Sequence, residues 1–220
     1  AHYGRDTYGS RTTVIGGTAI LMSIEKILAK AKKLAAHLLQ AKEKEVVIQD
    51  GRFFARGKPK HALTLAQLAA ESFVAKNLPK NFEPGLEASS FFEPPNCTYP
   101  FGAHIVAVEI DPDTGVVEIV KYVAVDDCGP QLNPLLVEGQ LQGGIAHSLG
   151  QCLFERCVYD ENGQLLTGEF MDYPLPRAAD IPDYLIGHTV TRSPSNPLGI
   201  KGVGEAGTIG ATPAIARRHA

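Results

Sequence analysis

The sequence predicts an α+β fold, with mixed sheets made from β-hairpins and helices packed against them. Two patterns predict it. Apolar residues recur at helical spacing from Ile20 to Leu39. Paired β-branched runs flank turn residues at Asp50-Gly51, at Asp111 to Gly115 and at Asp160 to Gly163. Strands interleaved with helices but joined largely by hairpins argue against a doubly wound parallel sheet.

Each element has a local reason. Ile20, Ile24, Ile27, Leu28, Ala31, Leu34, Ala35, Leu38 and Leu39 repeat at three and four, so one helical face is apolar. Lys26, Lys30, Lys32 and Lys33 fall on the opposite, solvated face. Val46-Val47-Ile48 and Arg52-Phe53-Phe54 read as a hairpin about an Asp-Gly turn. Thr64 can cap a short helix over 65–73, with Leu65, Leu68, Ala69 and Phe73 inward. The Pro-, Asn- and Ser-rich stretch 77–100 reads as an irregular crossing segment and the boundary between two lobes, 1–95 and 96–220. Beyond it, 104–110 and 116–125 form a second hairpin, and Asn133 opens a helix to Phe154 with Pro134 at its first position. A third hairpin pairs 156–159 with 165–170, and 186–191 is a further strand. The chain opens at Ala1 without an initiator Met or a signal-like segment. At 214–220 a helix looks to have just begun, so both ends are expected to be cuts through a longer protein or a chain completed by a partner.

Composition removes several classes of function. The 220 residues carry 21 Lys+Arg against 24 Asp+Glu, a formal charge of −3, which gives no electrostatic footprint for nucleic acid or an anionic membrane. No apolar run approaches the roughly 18 residues of a membrane span. Cys97, Cys128, Cys152 and Cys157 are too scattered for a disulfide scaffold or a zinc site, and are expected to be buried or partly buried free thiols in a reducing cytoplasm.

Three segments break local rules. Thr7-Tyr8-Gly9-Ser10-Arg11, ahead of Gly16-Gly17, offers hydroxyls and backbone N–H groups either to a phosphate-bearing ligand or simply to a capped helix start. Gly139-Gln140-Leu141-Gln142-Gly143-Gly144 places three glycines in a helical pattern, at about 1 kcal/mol each relative to Ala. Either something flat approaches the backbone, with Gln140 as donor and acceptor, or two helices pack tightly. In 196–210, five glycines surround one carboxylate, Glu205. If buried, that carboxylate suits general-base work; as a helix cap it would be structural.

Gly202-Val203-Gly204-Glu205-Ala206-Gly207, with Ala211-Thr212-Pro213-Ala214-Ile215 after it, resembles the active-site Glu segment of the xanthine oxidase family of molybdenum hydroxylases. Val137 to Ala146 is similar to that family's cofactor-binding glutamine segment, and Thr7 to Arg11 resembles a third pterin-site stretch. Val125-Asp126-Asp127-Cys128-Gly129 and Phe170-Met171-Asp172-Tyr173 bring the likeness nearest to the large subunits of aerobic carbon monoxide dehydrogenases and their relatives.

The resemblance implies the C-terminal part of a molybdopterin-binding subunit, incomplete without its upstream half. It implies a molybdenum–molybdopterin cofactor, in its cytosine dinucleotide form, with Glu205 as general base. Cofactor contacts would come from Gln140, Thr7, Tyr8, Gly9, Ser10, Gly202, Val203 and Gly204, and no side chain of this chain would ligate a metal. Iron–sulfur clusters and FAD would sit on partner domains or subunits, in a dimer of heterotrimers. The substrate would be an aldehyde, an N-heterocycle or carbon monoxide. Any copper-bridging cysteine of carbon monoxide oxidation belongs to an upstream loop, so none of the four cysteines here takes that role. His147 stands where relatives often carry Gln, which leaves it in doubt as a cofactor contact. A non-catalytic assembly module, or an unrelated nucleotide-binding domain using the glycine-rich loops, are the alternatives.

Overall fold

The computed structural model describes residues 6–216; residues 1–5 and 217–220 lie outside the described part. The chain divides into two compact units. One is 16–93; the other joins the described residues before Gly16 to 94–216. The stretch 7–11, which the sequence boundary near residue 95 assigns to the first lobe, therefore belongs with the second.

In unit 16–93, α1 (Thr18–Leu38) packs on a three-stranded antiparallel sheet and on α2 (Leu65–Glu71). The sheet comprises β1 (Val46–Gln49), β2 (Arg52–Ala55) and β3 (Leu63–Thr64). Ala31, Leu34, Ala35, Val46, Phe53 and Leu68 form its core. Asp50 and Gly51 both have left-handed φ, +49° and +71°, as the two-residue turn between paired Gln49 and Arg52 requires. Thr64 and Gln67 form the expected cap, each side chain bonding the other's backbone N–H. Two expectations fail here. Leu65 and Phe73 are exposed, because α2 is only two turns long and Phe73 falls beyond its C-cap, Ser72. Of the α1 lysines, Lys26 and Lys30 reach the irregular segment, Lys26 Nζ donating to the Ser89 carbonyl at 2.9 Å and Lys30 pairing with Glu83.

The other unit is built on β4 (Phe101–Ile110), β5 (Val117–Asp127) and β6 (Tyr184–His188). β4 pairs with β5 antiparallel around Gly115 at φ +73°, and β6 pairs with β5 parallel, Tyr122 opposite Tyr184 and Asp126 opposite His188. The sheet is therefore mixed, as expected. Its inner face, with Tyr122 and Ala124, packs on α3 (Pro134–Leu149) and α4 (Ala206–Ala216) through Ile145, Leu149, Ala211 and Ile215. α3 begins as the sequence predicts, the Asn133 side chain accepting from the Leu136 N–H, and continues through a π-helical turn, Gly150–Phe154.

α3 and α4 approach closely enough to need glycine. A Cβ on Gly207 would lie 2.4 Å from the Leu141 carbonyl oxygen, and one on Gly144 would lie 2.9 Å from the Thr208 nitrogen. Hydroxyls lace the same seam, Ser148 Oγ donating to the Thr208 carbonyl and Thr212 Oγ1 to Ser148 Oγ. Helix packing thus accounts for Gly144. Gly139 and Gly143 face open space.

The third hairpin shrinks to one bridge, Tyr159 with Leu165. Asp160 Oδ1 takes the N–H groups of Asn162 and Gln164, which tightens the turn, and Asp172 and Tyr173 then both bond back to the Glu169 carbonyl, so the return strand bends away. The last helix starts at Ala206, eight residues earlier than expected. Cys128 is buried and Cys152 half-buried, but Cys97 and Cys157 are exposed, since both lie in irregular chain; all four are free thiols. Among the described residues no helix is long and apolar enough to cross a membrane.

Candidate cofactor crevice

The parallel pair carries the chain to one place. β5 ends in Asp126 and Asp127, both buried, and runs into Cys128-Gly129. β6 ends beside it, and Thr189 Oγ1, just past that strand, donates to Asp127 Oδ2 at 2.9 Å. Crevices outside the carboxyl ends of parallel strands are common ligand sites.

The glycine-rich loop 199–205 is fixed onto this strand end. Lys201 N donates to the Cys128 carbonyl at 2.8 Å, and Lys201 Nζ pairs with Asp127 Oδ1 at 2.9 Å. Gly129 N–H donates to the same carboxylate at 2.9 Å, and the Lys201 ammonium lies 4.4 Å from the centre of the Phe101 ring. Gly129, at φ +71°, leaves no room for a side chain, since a Cβ there would meet the Gly199 carbonyl at 2.4 Å. Asn196 braces the loop from behind, its amide donating to the Ile200 carbonyl and accepting from the Ile200 N–H. Burial alone would push the Asp127 carboxyl up; the Lys201 ammonium and the Gly129 N–H outweigh it and hold the group well below its ordinary 3.8.

A second buried cluster lies on the other side of the strand end. His104 Nδ1 is 2.8 Å from the Tyr122 hydroxyl and Nε2 is 3.1 Å from Asp126 Oδ2. Burial, with Tyr184 and Asp126 close by, pushes the Tyr122 phenol up, and burial pushes Tyr184 up to about 12. A small cavity of about 90 Å³ is lined by His104 and Asp126 together with Ile209 and Gly210 of α4, and the His104 ring packs on Gly210, where a Cβ would come within 2.7 Å of it.

Between the fixed loop and α3 lies a crevice of about 410 Å³. Its walls are Gly202, Val203 and Gly204 on one side, Gln140 and Val137 on the other, and Ser10 and Thr13 at one end. Ser10 is seated under the loop, where a Cβ on Gly202 would come within 2.6 Å of Ser10 Cβ. Its hydroxyl accepts from the Gly204 N–H at 2.9 Å and donates to Glu205 Oε2 at 2.5 Å.

The residues expected at the site therefore have different fates. Gln140, Ser10, Gly202, Val203 and Gly204 line one crevice, and Glu205 stands one residue beyond its lining. Gly9 contributes backbone, its carbonyl oxygen 3.0 Å from where a Gly202 Cβ would lie. Thr7 and Tyr8 are not among the lining residues. Thr7 bonds Thr12 through their hydroxyls, and Tyr8 is exposed under the Arg11 guanidinium, 3.6 Å from the ring centre. His147, in the last turn of α3, is exposed and outside the lining. Glu205 is exposed rather than buried. It precedes the first residue of α4, its carbonyl accepting from the Ile209 N–H, so the backbone does occupy a cap position while the side chain turns to Ser10. Lys201, the one basic neighbour in sequence, is committed to Asp127 instead. Sequence reasoning missed this Asp127–Lys201 anchor and the His104 cluster. Two consecutive acids closing an apolar strand were the available signal.

An opening of this size is within the range that encloses organic cofactors. Its lining of side-chain amides, hydroxyls and bare backbone suits a large heteroatom-rich group. Among the described residues no cluster of three or more His, Cys, Asp or Glu side chains could hold a metal ion. The residues present fit a heteroatom-rich group of this kind.

The chain belongs to the molybdopterin cofactor-binding domain family, whose model matches residues 1–182. It is 42% identical to the carbon monoxide dehydrogenase large chain of Afipia carboxidovorans over 97% of its own length and 26% of that chain. It is 36% identical to the nicotine 6-hydroxylase large subunit of Paenarthrobacter nicotinovorans over 97% of its length and 26% of that subunit. Among solved structures, quinoline 2-oxidoreductase from Pseudomonas putida 86 superposes with a TM-score of 0.86 at 39% identity, over 97% of this chain and 27% of that one. Reconstituted CO dehydrogenase from Oligotropha carboxidovorans gives 0.87 at 42% identity, over 96% and 26%. The chain thus spans about a quarter of the length of these relatives and is homologous to the large subunits of molybdopterin-dependent oxidoreductases.

Proposed function

We propose that this chain supplies one wall of the cofactor site in a molybdenum hydroxylase large subunit, and that Glu205 is the general base of that site. The observation that carries the reading is the placement of Glu205. A carboxylate stands one residue beyond the crevice lining, with Oε2 held by the Ser10 hydroxyl. When bound, the molybdenum–pterin group supplies two-electron redox chemistry and Lewis acidity. The chain does the rest. Gln140 presents an amide, donor and acceptor together, to the edge of the cofactor. Gly202 to Gly204 let backbone approach where side chains would fill the space, and Glu205 Oε1 accepts the proton that water-derived oxygen must lose before it attacks substrate carbon.

The cofactor is the cytosine dinucleotide form. The remaining walls come from an upstream half of the subunit, and iron–sulfur and flavin subunits carry electrons away in a cytoplasmic dimer of heterotrimers. The substrate class is a small aldehyde, an N-heterocycle or carbon monoxide, and relatives named for carbon monoxide, nicotine and quinoline support the last two.

Gln140 provides the test. Its side chain is exposed on α3 and lines the crevice, so Gln140→Ala in the assembled enzyme should leave thermal stability within about 0.5 kcal/mol. Molybdenum retention through gel filtration or turnover should fall. Unchanged activity and metal content would return Gln140 to a packing role.

A further inference from the structure

We propose that Ser10 is a positioning residue for Glu205: its hydroxyl fixes one carboxylate oxygen to the Gly202–Gly204 backbone so that the other is aimed for proton transfer. The inference rests on Glu205 being the base, and it differs from a role for Ser10 as a contact to the cofactor's phosphate.

The geometry is that of a bridge. A serine hydroxyl has one proton to give and lone pairs to receive with. Here the proton goes to Glu205 Oε2 at 2.5 Å and a lone pair takes the Gly204 N–H at 2.9 Å. The donor is thus already used, and on an acid about 195 residues away in sequence rather than on a ligand. The backbone is shaped for this contact. Gly9 and Ser10 both have left-handed φ, +56° and +53°, and Ser10 is one of only a few non-glycine residues with that geometry among those described. The bend they make sets Ser10 directly under the loop, where a Cβ on Gly204 would meet Ser10 Oγ at 2.4 Å. The loop itself is held independently by the Lys201–Asp127 pair. What remains free without Ser10 is the side-chain torsion of an exposed glutamate. A carboxylate with an intact base but unfixed direction loses rate, because misplacement by about 1 Å can cost on the order of 10²-fold.

The test uses the assembled enzyme with Ser10→Gly, Glu205→Gln and both together. Glycine keeps the left-handed backbone accessible and removes the hydroxymethyl group. The expected result is a fall in kcat of about ten- to hundredfold with KM, molybdenum and pterin content unchanged. Amide exchange at Gly204 should become faster, since its acceptor is gone. In the Glu205→Gln background the Ser10→Gly change should have no further effect on the single-turnover rate, the signature of two residues acting as one unit. Ser10→Cys, which keeps the shape with a weaker donor, should fall between wild type and Ser10→Gly and carries the test if the glycine variant does not fold. Loss of pterin or molybdenum in Ser10→Gly overturns the proposal in favour of a cofactor contact. So does wild-type kcat, or an undiminished effect in the Glu205→Gln background. Wild-type turnover in Glu205→Gln alone would instead overturn the base assignment on which the inference rests.

Discussion

Glu205→Gln in the assembled enzyme should lose most turnover, about 10²- to 10⁴-fold, while keeping cofactor, fold and stability. Glutamine has nearly the same shape and can still accept from Ser10 through its carbonyl oxygen, so the 2.5 Å contact that orients the side chain survives. It cannot take up a proton. A structural cap would behave oppositely, costing about 0.5–2 kcal/mol of stability and leaving rate alone. The backbone of Glu205 starts α4 through its carbonyl, which the substitution does not touch, so the two readings separate cleanly. Steady-state turnover and metal content measured on the same preparation check the result.

Lys201→Met should give the largest loss of stability, about 3–5 kcal/mol at neutral pH. The Asp127 side chain is fully buried and Lys201 nearly so, at 0% and 6% exposure. Methionine fills the aliphatic space but leaves the Asp127 carboxylate with neutral donors alone, from Gly129, Thr189 and Thr191. The double variant Lys201→Met, Asp127→Leu removes both charges and should recover much of the loss; a single variant no less stable than the double would contradict the account. The pH dependence follows from the sign of the shift. In the wild-type chain Asp127 is held below its ordinary 3.8, so its contribution is complete above that value and is lost only as pH falls through the lower folded value. In the methionine variant the ammonium no longer opposes burial, so protonating Asp127 relieves the penalty and the gap to wild type should narrow on acidification. Chemical denaturation at several pH values reads both effects.

Much of the fold was legible because local chemistry determined it. Asp50-Gly51, the Thr64 cap and Asn133-Pro134 each specify a backbone geometry within a few residues, and each is present. The third hairpin was misread because alternating residues predict pairing only if the turn lets the strands continue, and the Asp160 side chain captures the N–H groups instead. The parallel partnership of β5 and β6 is not a local property, since paired positions such as Asp126 and His188 lie 62 residues apart in sequence. The same limit applies to the site. Glycine spacing around Glu205 and Gln140 marks two walls of one crevice, but the partner of the carboxylate, Ser10, comes from the opposite end of the chain. The ion pair that fixes the loop links Asp127 with Lys201 across 74 positions.

The most direct test of the account is the molybdenum and pterin content of this chain purified in its assembled large subunit. A crevice walled by Gln140 and Gly202–Gly204, read as one wall of a molybdopterin site, predicts molybdenum and an organic pterin in equal, near-stoichiometric amounts. The chain expressed alone, which spans about a quarter of its relatives, should not retain molybdenum through gel filtration. Nucleotide without molybdenum in the assembled subunit would contradict the account.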